Sequence, residues 1–520
     1  DLYVGGSSRE AGKFFVQQSD GSFKPMDLFA ESSPGNIREE LGLLFFDADN
    51  DGDQDLYCVS GGYESRKLDT MYKDQLFFNE GGNFIPGDGS LPDFLSSGSC
   101  VKASDFDRDG DLDLFVGGRV LPAQYPRSVS SHLLINDGSG TFSLGNETHA
   151  TDLIDIGLIS DALWTDFDKD GWVDLMLAGE WMPLTFLRNE TGVLRKHSVP
   201  ALESARGFWN SLTAADFDLD GDIDYVAGNL GTNSLLKASL ERPISIYAAD
   251  FDANDQRSQG TGLEAIPSAY FPNLQGELTE FPYFGKTDME KQLISIKKLY
   301  LYHREYALAS MPEILRQFPD IDPLVLEATY LESAYIENLG NGEFSIRSLP
   351  QEAQLAPVYA IVTGDFNHDN LADILLTGND YGTELGMGRY DALNGLLLIN
   401  DGKATFTPIS LEESGVSIPG DGKSLVKLLG QTGQLILLAG QNQGPLKAFS
   451  QRLDHQKVIP LDQLDCVARI QLKDGKSYRE ELPYGNSFLS QSSRRLFLPK
   501  DAVSVEIEDS RAKKRKLVLE

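Results

Sequence analysis

The sequence predicts an all-β fold, a β-propeller, with a helical insertion and a small separate β domain at its C-terminal end. Three observations predict it. An acidic phrase returns along most of the chain. Short β-rich runs bounded by glycine follow each copy. The phrase then stops near residue 450, while strand-like alternation continues to the end.

The phrase is Asp, aromatic, Asp, any residue, Asp, Gly, then Asp and an apolar run ending in Gly. It reads FFDADNDGDQDLYCVSGG from Phe45, SDFDRDGDLDLFVGG from Ser104, TDFDKDGWVDLMLAG from Thr165 and ADFDLDGDIDYVAGN from Ala215. A fifth copy, GDFNHDNLADILLTGN, begins at Gly364, and a worn copy, ADFDANDQRS, begins at Ala249. With 79 acids in 520 residues, four acids at fixed offsets would arise by chance roughly 0.3 times, yet four copies carry Asp at all four offsets. The first Asp of successive copies falls at 47, 105, 166, 216, 250 and 365, and the commonest interval of 50 to 61 residues suits a four-stranded propeller blade.

Each unit reads as strand, acidic loop, strand, strand, turn, strand. Leu56-Tyr57-Cys58-Val59 and Leu114-Phe115-Val116 follow the loop; Leu76-Phe77-Phe78-Asn79, Leu133-Leu134-Ile135-Asn136 and Leu397-Leu398-Ile399-Asn400 come next. A Gly-containing turn and a Phe (Phe84, Phe142, Phe406) complete the unit. Such units cannot bury both faces alone, so they must stack. The opening DLYVGG matches the second half of the phrase, which suggests a fragment of a longer array; the closing LVKLLGQTGQLILLAGQ from Leu425 is a copy without acids. If residues 1–29 and 424–450 join in a closing blade, the count is seven; if each forms its own, it is eight. The propeller is thus expected over 1–450.

The interval from 250 to 365 is about twice the usual one, and its surplus reads as helix. Thr287-Asp288-Met289-Glu290 has the pattern of a capping box, followed by Leu293, Ile294, Ile296, Leu299 and Tyr300. Ser310-Met311-Pro312-Glu313 is a second such pattern, and Asp322-Pro323 reads as the start of a third short helix. Residues 285–331 are therefore expected to be a helical insertion on one rim. Residues 456–520, with the run Val467–Leu472 and the turn Lys473-Asp474-Gly475-Lys476, read as the small β domain.

Composition excludes several classes. Apolar residues are 41%, and no run approaches the ~20 residues a membrane helix needs, so no transmembrane segment is expected in this chain. The 45 basic against 79 acidic residues give −34, which repels nucleic acid and anionic lipid. Cys58, Cys100 and Cys466 form no metal-binding pair and no disulfide framework, though one disulfide stays open. The six histidines form no HExxH, no G-x-S-x-G occurs, and Gly422-Lys423-Ser424 lacks the upstream Gly of a phosphate loop. No catalytic constellation is visible. The crowded Trp164, Trp172, Trp181 and Trp209 are expected in packing rather than on a sugar-binding platform.

The acidic loops have the spacing of a wrapped Ca²⁺ site: oxygen ligands at offsets 1, 3 and 5, a small residue at 6, a backbone carbonyl at 7, and here a carboxylate at 9. The first loop supplies Asp47, Asp49, Asp51, Asp53 and Asp55; the second Asp105, Asp107, Asp109, Asp111 and Asp113. The third supplies Asp166, Asp168, Asp170, Trp172 and Asp174; the fourth Asp216, Asp218, Asp220, Asp222 and Asp224. The fifth has Asp365, Asn367, Asp369, Leu371 and Asp373, with Asn370 in place of Gly. The worn loop keeps Asp250, Asp252 and Asn254 but has Ser258 at offset 9. Trp172 cannot ligate through its side chain, which fits a carbonyl at that offset. Carboxylates packed this closely repel unless a cation sits among them, and an all-oxygen set in a flexible loop favours Ca²⁺ over zinc, copper or Mg²⁺. About five ions are expected, six if the loop at 250 binds one.

These residues resemble the FG-GAP/VCBS repeat of integrin α-subunit heads and many bacterial surface proteins. That resemblance implies a β-propeller with Ca²⁺ in its blade loops. The segment from Gly485 to Leu496 (GNSFLSQSSRRL) resembles the ASPIC/UnbV segment that follows such repeats in cartilage acidic protein and its bacterial relatives, departing from that pattern after Phe497. The expected function is a calcium-stabilised binding or adhesion module, extracellular or on the cell surface, a bacterial outer-membrane surface included, presenting loops to a protein or glycan. Two alternatives stand beside it: a subunit of an outer-membrane assembly docking through the helical insertion, and a polysaccharide lyase-like enzyme.

Overall fold

The computed structural model describes residues 1–26, 38–63, 68–252, 263–383, 388–453 and 456–519. Its sheets are antiparallel and mostly four-stranded, and seven of them pack in a ring. Within a full blade the inner strand, the acidic loop and the second strand form the unit the sequence repeats. The second strand opens on the last Asp of the loop, as in Asp55–Ser60, Asp113–Gly118 and Asp373–Gly378, and is buried along its whole length. That explains runs such as Leu-Tyr-Cys-Val, apolar at every position: a blade is covered on both faces, so the usual alternation is lost.

The first sheet is Leu2–Val4, Lys13–Gln17 and Phe23–Met26. The inner strands of the next six are Glu40–Phe46, Gly98–Ser104, Leu158–Thr165, Ser211–Ala215, Val358–Gly364 and Gly422–Leu429. A separate buried cluster fills each of the seven interfaces. Phe46 and Tyr57 meet Val101 and Leu114; Phe106 and Phe115 meet Trp164 and Leu175; Phe167 and Phe186 meet Trp209 and Tyr225. Phe217 and Tyr335 meet Ile361 and Ile374, and Leu375 meets Leu425 and Leu437. Leu2 and Phe23 then pack on Val426 and Leu438, and Tyr3 and Phe14 on Leu56 and Phe77, which closes the ring. The opening and closing pieces thus form separate three-stranded sheets, yet the count is seven, because the copy at 250 is not a blade of the ring.

That copy lies in a block inserted inside the fifth blade. The blade pairs Asp224–Gly228 with Ala334–Asn338, and the chain between them builds its own sheet in the order Leu278–Pro282, Glu264–Pro272, Ile244–Ala249, Leu324–Ala328. Helices Lys286–Gln292, Ser295–Leu299, His303–Leu308 and Met311–Leu315 cover it, with Met289, Leu293, Ile296, Met311 and Ile314 buried against Phe251 and Ile266. The insertion is therefore longer than 285–331 and is half sheet. The third expected helix is the strand Leu324–Ala328, because its β-favouring Leu-Val-Leu run pairs with Ile244–Ala248. The capping box at Ser310 and Glu313 is present, with the Ser310 N–H donating to Glu313 Oε2 (2.8 Å); at Thr287 the helix instead starts from Gly285.

The C-terminal domain is a four-stranded sheet, in the order Ser477–Glu481, Asp465–Leu472, Ala502–Asp509, Lys514–Val518, beside the pair Gln456–Pro460 and Arg495–Pro499. It sits on the acidic-loop rim. Its segment 484–495 enters the ring: Gln491 exchanges two hydrogen bonds with the Phe45 backbone (2.7 and 2.9 Å), and Lys102 Nζ donates to Ser487 O (3.3 Å). Ser493 N–H donates to Lys427 O (2.9 Å), and Phe488 packs on Tyr359. This segment is thus the part of the domain that reaches the inner strands. Cys58, Cys100 and Cys466 are free thiols, and Trp164, Trp181 and Trp209 are buried in packing.

Candidate metal centres

Each acidic loop is closed by one strand pair. Phe46 faces Asp55, Ser104 faces Asp113, Thr165 faces Asp174, Ala215 faces Asp224 and Gly364 faces Asp373. The residue at offset 4 turns left-handed (Asn50, Arg108, Lys169, Leu219, His368), as does that at offset 6. Gly fills offset 6 in four loops because φ there is +87° to +109°; Asn370, at +70°, is the residue that tolerates this next best.

This turn brings the carboxylates inward. The offset-6 N–H donates to the first Asp (Gly52 to Asp47 Oδ2, 3.0 Å; Gly110 to Asp105 Oδ1, 3.3 Å). The offset-7 N–H donates to the offset-5 side chain (Asp53 to Asp51, 2.8 Å; Trp172 to Asp170, 2.8 Å; Leu371 to Asp369, 2.9 Å). Offset 7 works through its backbone, so Trp172 and Leu371 serve there as well as Asp53, Asp111 or Asp222.

Five clusters bring ligand oxygens within 4.8 Å of one another: Asp47, Asp49, Asp55; Asp105, Asp107, Asp109; Asp166, Asp168, Asp174; Asp216, Asp218, Asp220; and Asp250, Asp252, Glu264. Asp51, Asp113, Asp170 and Asp224 stand in the same loops outside these triples. Two of the six loops stand apart from the rest. The loop at 365 forms no such triple among the described residues, since Asn367 replaces the middle carboxylate and donates to Asp369 Oδ2 (2.8 Å). The loop at 250 does form one, through Glu264.

Glu264 takes the last position of that loop. Ala249 faces Glu264 across the strand pair, as Phe46 faces Asp55. Its Oε2 accepts the Phe251 N–H (2.8 Å), as Asp55 Oδ2 accepts Ala48 N–H (2.7 Å). Asn254 and Ser258 lie outside the described residues.

The residues fit a cation. Asp47 Oδ1, Asp113 Oδ2 and Asp216 Oδ1 are buried without a hydrogen bond, and Asp113 and Asp216 are almost wholly enclosed. A buried carboxylate oxygen left this way is costly unless a positive charge meets it. Two loops have internal cations: Arg188 Nε pairs with Asp168 (2.7 Å) and Nη2 with Asp170 (3.1 Å), and Lys169 pairs with Asp222. A bound Ca²⁺ would supply charge neutralisation and fix the hairpin.

Burial, helped by neighbouring carboxylates, pushes these acids up: Asp55 and Asp216 to about 6, Asp224, Asp373 and Glu264 to about 7, Asp174 to about 9. A raised carboxyl favours the folded state while it is protonated. That contribution is complete below the ordinary carboxylate range and is lost as pH rises through the raised value. The cation-free protein should therefore melt higher at pH 5 than at pH 8, whereas Ca²⁺ should bind more weakly at pH 5 because protons compete. Melting with and without chelator at the two pH values checks both signs.

An Asn on the third strand, whose role the sequence did not disclose, ties each loop to its neighbour. Asn136, Asn189, Asn338 and Asn400 each donate a backbone N–H to the last Asp of their own loop (2.7–3.0 Å). Their side-chain Nδ2 donates to a carbonyl in the preceding loop: Ala48, Phe106, Phe167 and Phe217 (2.7–2.9 Å). Asn189 is 1% exposed, so Asn189→Ala leaves buried partners unmet and should cost about 3 kcal/mol, read from the denaturant midpoint.

Among known proteins, the FG-GAP-like repeat matches residues 47–116, 105–177 and 166–227. No curated protein matches the chain. Of solved structures, the Vibrio cholerae biofilm matrix protein Bap1 is 10% identical, covering 80% of this chain and 87% of its own at a TM-score of 0.28. The exotype rhamnogalacturonan lyase YesX is 11% identical, covering 99% and 75% at 0.31. Both overlaps are loose; the repeat match is the firm one. Each matched stretch runs from one acidic loop through the strand after the next, so residues 47–227 are a run of FG-GAP-like repeats.

Proposed function

We propose that this chain is a calcium-stabilised binding propeller, working outside the cell or on its surface, that docks a protein partner through the block inserted in its fifth blade. The observation that carries this reading is where apolar surface is exposed. Leu235, Leu240, Leu274, Ile294, Leu301 and Tyr302 all belong to that block and are each more than 60% exposed. Exposed apolar side chains concentrated in one inserted block suit protein docking better than they suit a glycan.

The geometry supports the same face. The acidic loops join first to second strands on one rim, where the C-terminal domain also sits. The block joins second to third strands, and so emerges on the opposite rim. The C-terminal domain covers part of the rim that carries the metal loops, and the block stands on the other. Among the described residues no helix is long and apolar enough to cross a membrane. Co-purification from native membranes, comparing the natural chain with a Leu301→Asp, Tyr302→Asp variant, tests it. Loss of a partner with an unchanged melting curve supports the proposal; equal recovery overturns it.

A further inference from the structure

We propose that Ser510 and Arg479 of the C-terminal domain are positioning residues of the cation loops, so that cation binding and docking of that domain are coupled. The proposal rests on the metal reading above and goes beyond it in naming what controls the loops from outside. The domain meets the first Asp of three successive blades. Ser510 Oγ donates to Asp105 Oδ2 at 2.5 Å, and both residues are buried. Arg479, 7% exposed, spans the next two loops: its Nη2 donates to Asp166 Oδ2 (3.0 Å) and its backbone N–H to Asp216 Oδ2 (3.2 Å).

In each case the domain holds one oxygen of the carboxylate, and the other turns into the loop. Asp105 Oδ1 and Asp166 Oδ1 accept the Gly110 and Gly171 N–H groups (both 3.3 Å), and Asp216 Oδ1 is buried without a hydrogen bond. A ligand whose outer oxygen is fixed is already oriented for the ion; loss of such partners lowers metal affinity by about 10- to 100-fold. The interface also sets two acids around one base: Arg479 Nη2 pairs with Glu481 (3.3 Å) as well as with Asp166 (3.0 Å). Glu481 Oε1 accepts the Asp166 N–H (2.9 Å), so the domain brings another buried carboxylate to a loop already rich in them. One guanidinium meets two buried carboxylates there, so a cation in the loop offsets the remaining negative charge and favours docking. By linkage, whatever docking adds to cation affinity, the cation adds to docking.

Trp172 provides a local reporter. It lies in the loop at 166, and Arg108 of the loop at 105 stacks on its ring at 4.0 Å, so terbium(III) in either loop sits near an indole. In the intact chain, Tb³⁺ titration followed by Trp-sensitised emission should saturate. Ser510→Ala should weaken one step at least tenfold, and Ser510→Thr, which keeps the hydroxyl, should restore it; a change in packing alone would not be rescued this way. In parallel, amide exchange over residues 477–483 and 508–512 should be faster with chelator than with Ca²⁺. If the natural chain binds neither Tb³⁺ nor Ca²⁺ by calorimetry, the metal reading falls. If it binds, but Ser510→Ala leaves the affinity unchanged or exchange is the same with and without Ca²⁺, the coupling alone is overturned.

Discussion

Chelation with EDTA should lower the melting temperature by roughly 10 °C or more, and added Ca²⁺ should restore it. A single site held at a hundred times its dissociation constant contributes about 2.7 kcal/mol. Four or five such loops together rival the whole net stability of an ordinary domain, about 5–15 kcal/mol. The loops are placed to spread that loss. Each is tied to the next blade by an Asn whose backbone holds one loop's last Asp and whose side chain holds the neighbour's carbonyl. Without cations, the enclosed oxygens of Asp113 and Asp216 have only protons to neutralise them. An unchanged melt in EDTA would sink the calcium reading. Magnesium at the same concentration should rescue less, because it demands near-ideal octahedral geometry and gives up its water reluctantly, which a flexible all-oxygen loop does not satisfy.

What the sequence disclosed and what it hid have the same physical origin. Wrapping a cation fixes the number of residues between ligands, so four loops announced themselves by spacing alone. Where the loop lengthened, the signal failed: Glu264 takes the closing position fourteen residues after Asp250, while the expected spacing falls on Ser258, which makes the loop look worn. The latch asparagines were in view at the end of runs such as Leu-Leu-Ile-Asn. Their partner is a carbonyl on another blade, and no local pattern encodes that. The same holds for Leu324–Ala328. Asp322-Pro323 is a good local start for a helix, and pairing with Ile244–Ala249, some eighty residues away, overrides it. From sequence, seven follows if the two worn ends share one closing blade; in the structure each end forms its own sheet, and the copy at 250 drops out of the count. It carries the phrase without belonging to the ring, since its strands pair among themselves.

That distinction sets the second large effect. Asp107→Ala should destabilise the whole propeller by about 3 kcal/mol in excess Ca²⁺, whereas Glu264→Ala or Asp252→Ala should leave the main transition nearly in place. Asp107 belongs to a triple with Asp105 and Asp109 in the third blade, whose neighbours on both sides share buried clusters with it. Removing it leaves a half-coordinated ion beside carboxylates already pushed up by burial and by one another; Asp111, in the same loop, stands at about 7. Its loss must pass to the second and fourth blades through Asn136 and Asn189, so the transition should also broaden. Glu264 is just as buried and likewise sits at about 7. Its cluster, however, packs against the helices of the inserted block, not against a neighbouring blade. Its replacement should therefore loosen that block, seen as faster proteolysis within 229–333, while the ring holds. Calorimetric scans of the three variants in excess Ca²⁺, each paired with limited proteolysis, decide the matter. If Glu264→Ala moves the main transition as far as Asp107→Ala does, the inserted sheet is a structural member of the ring and not a separate block.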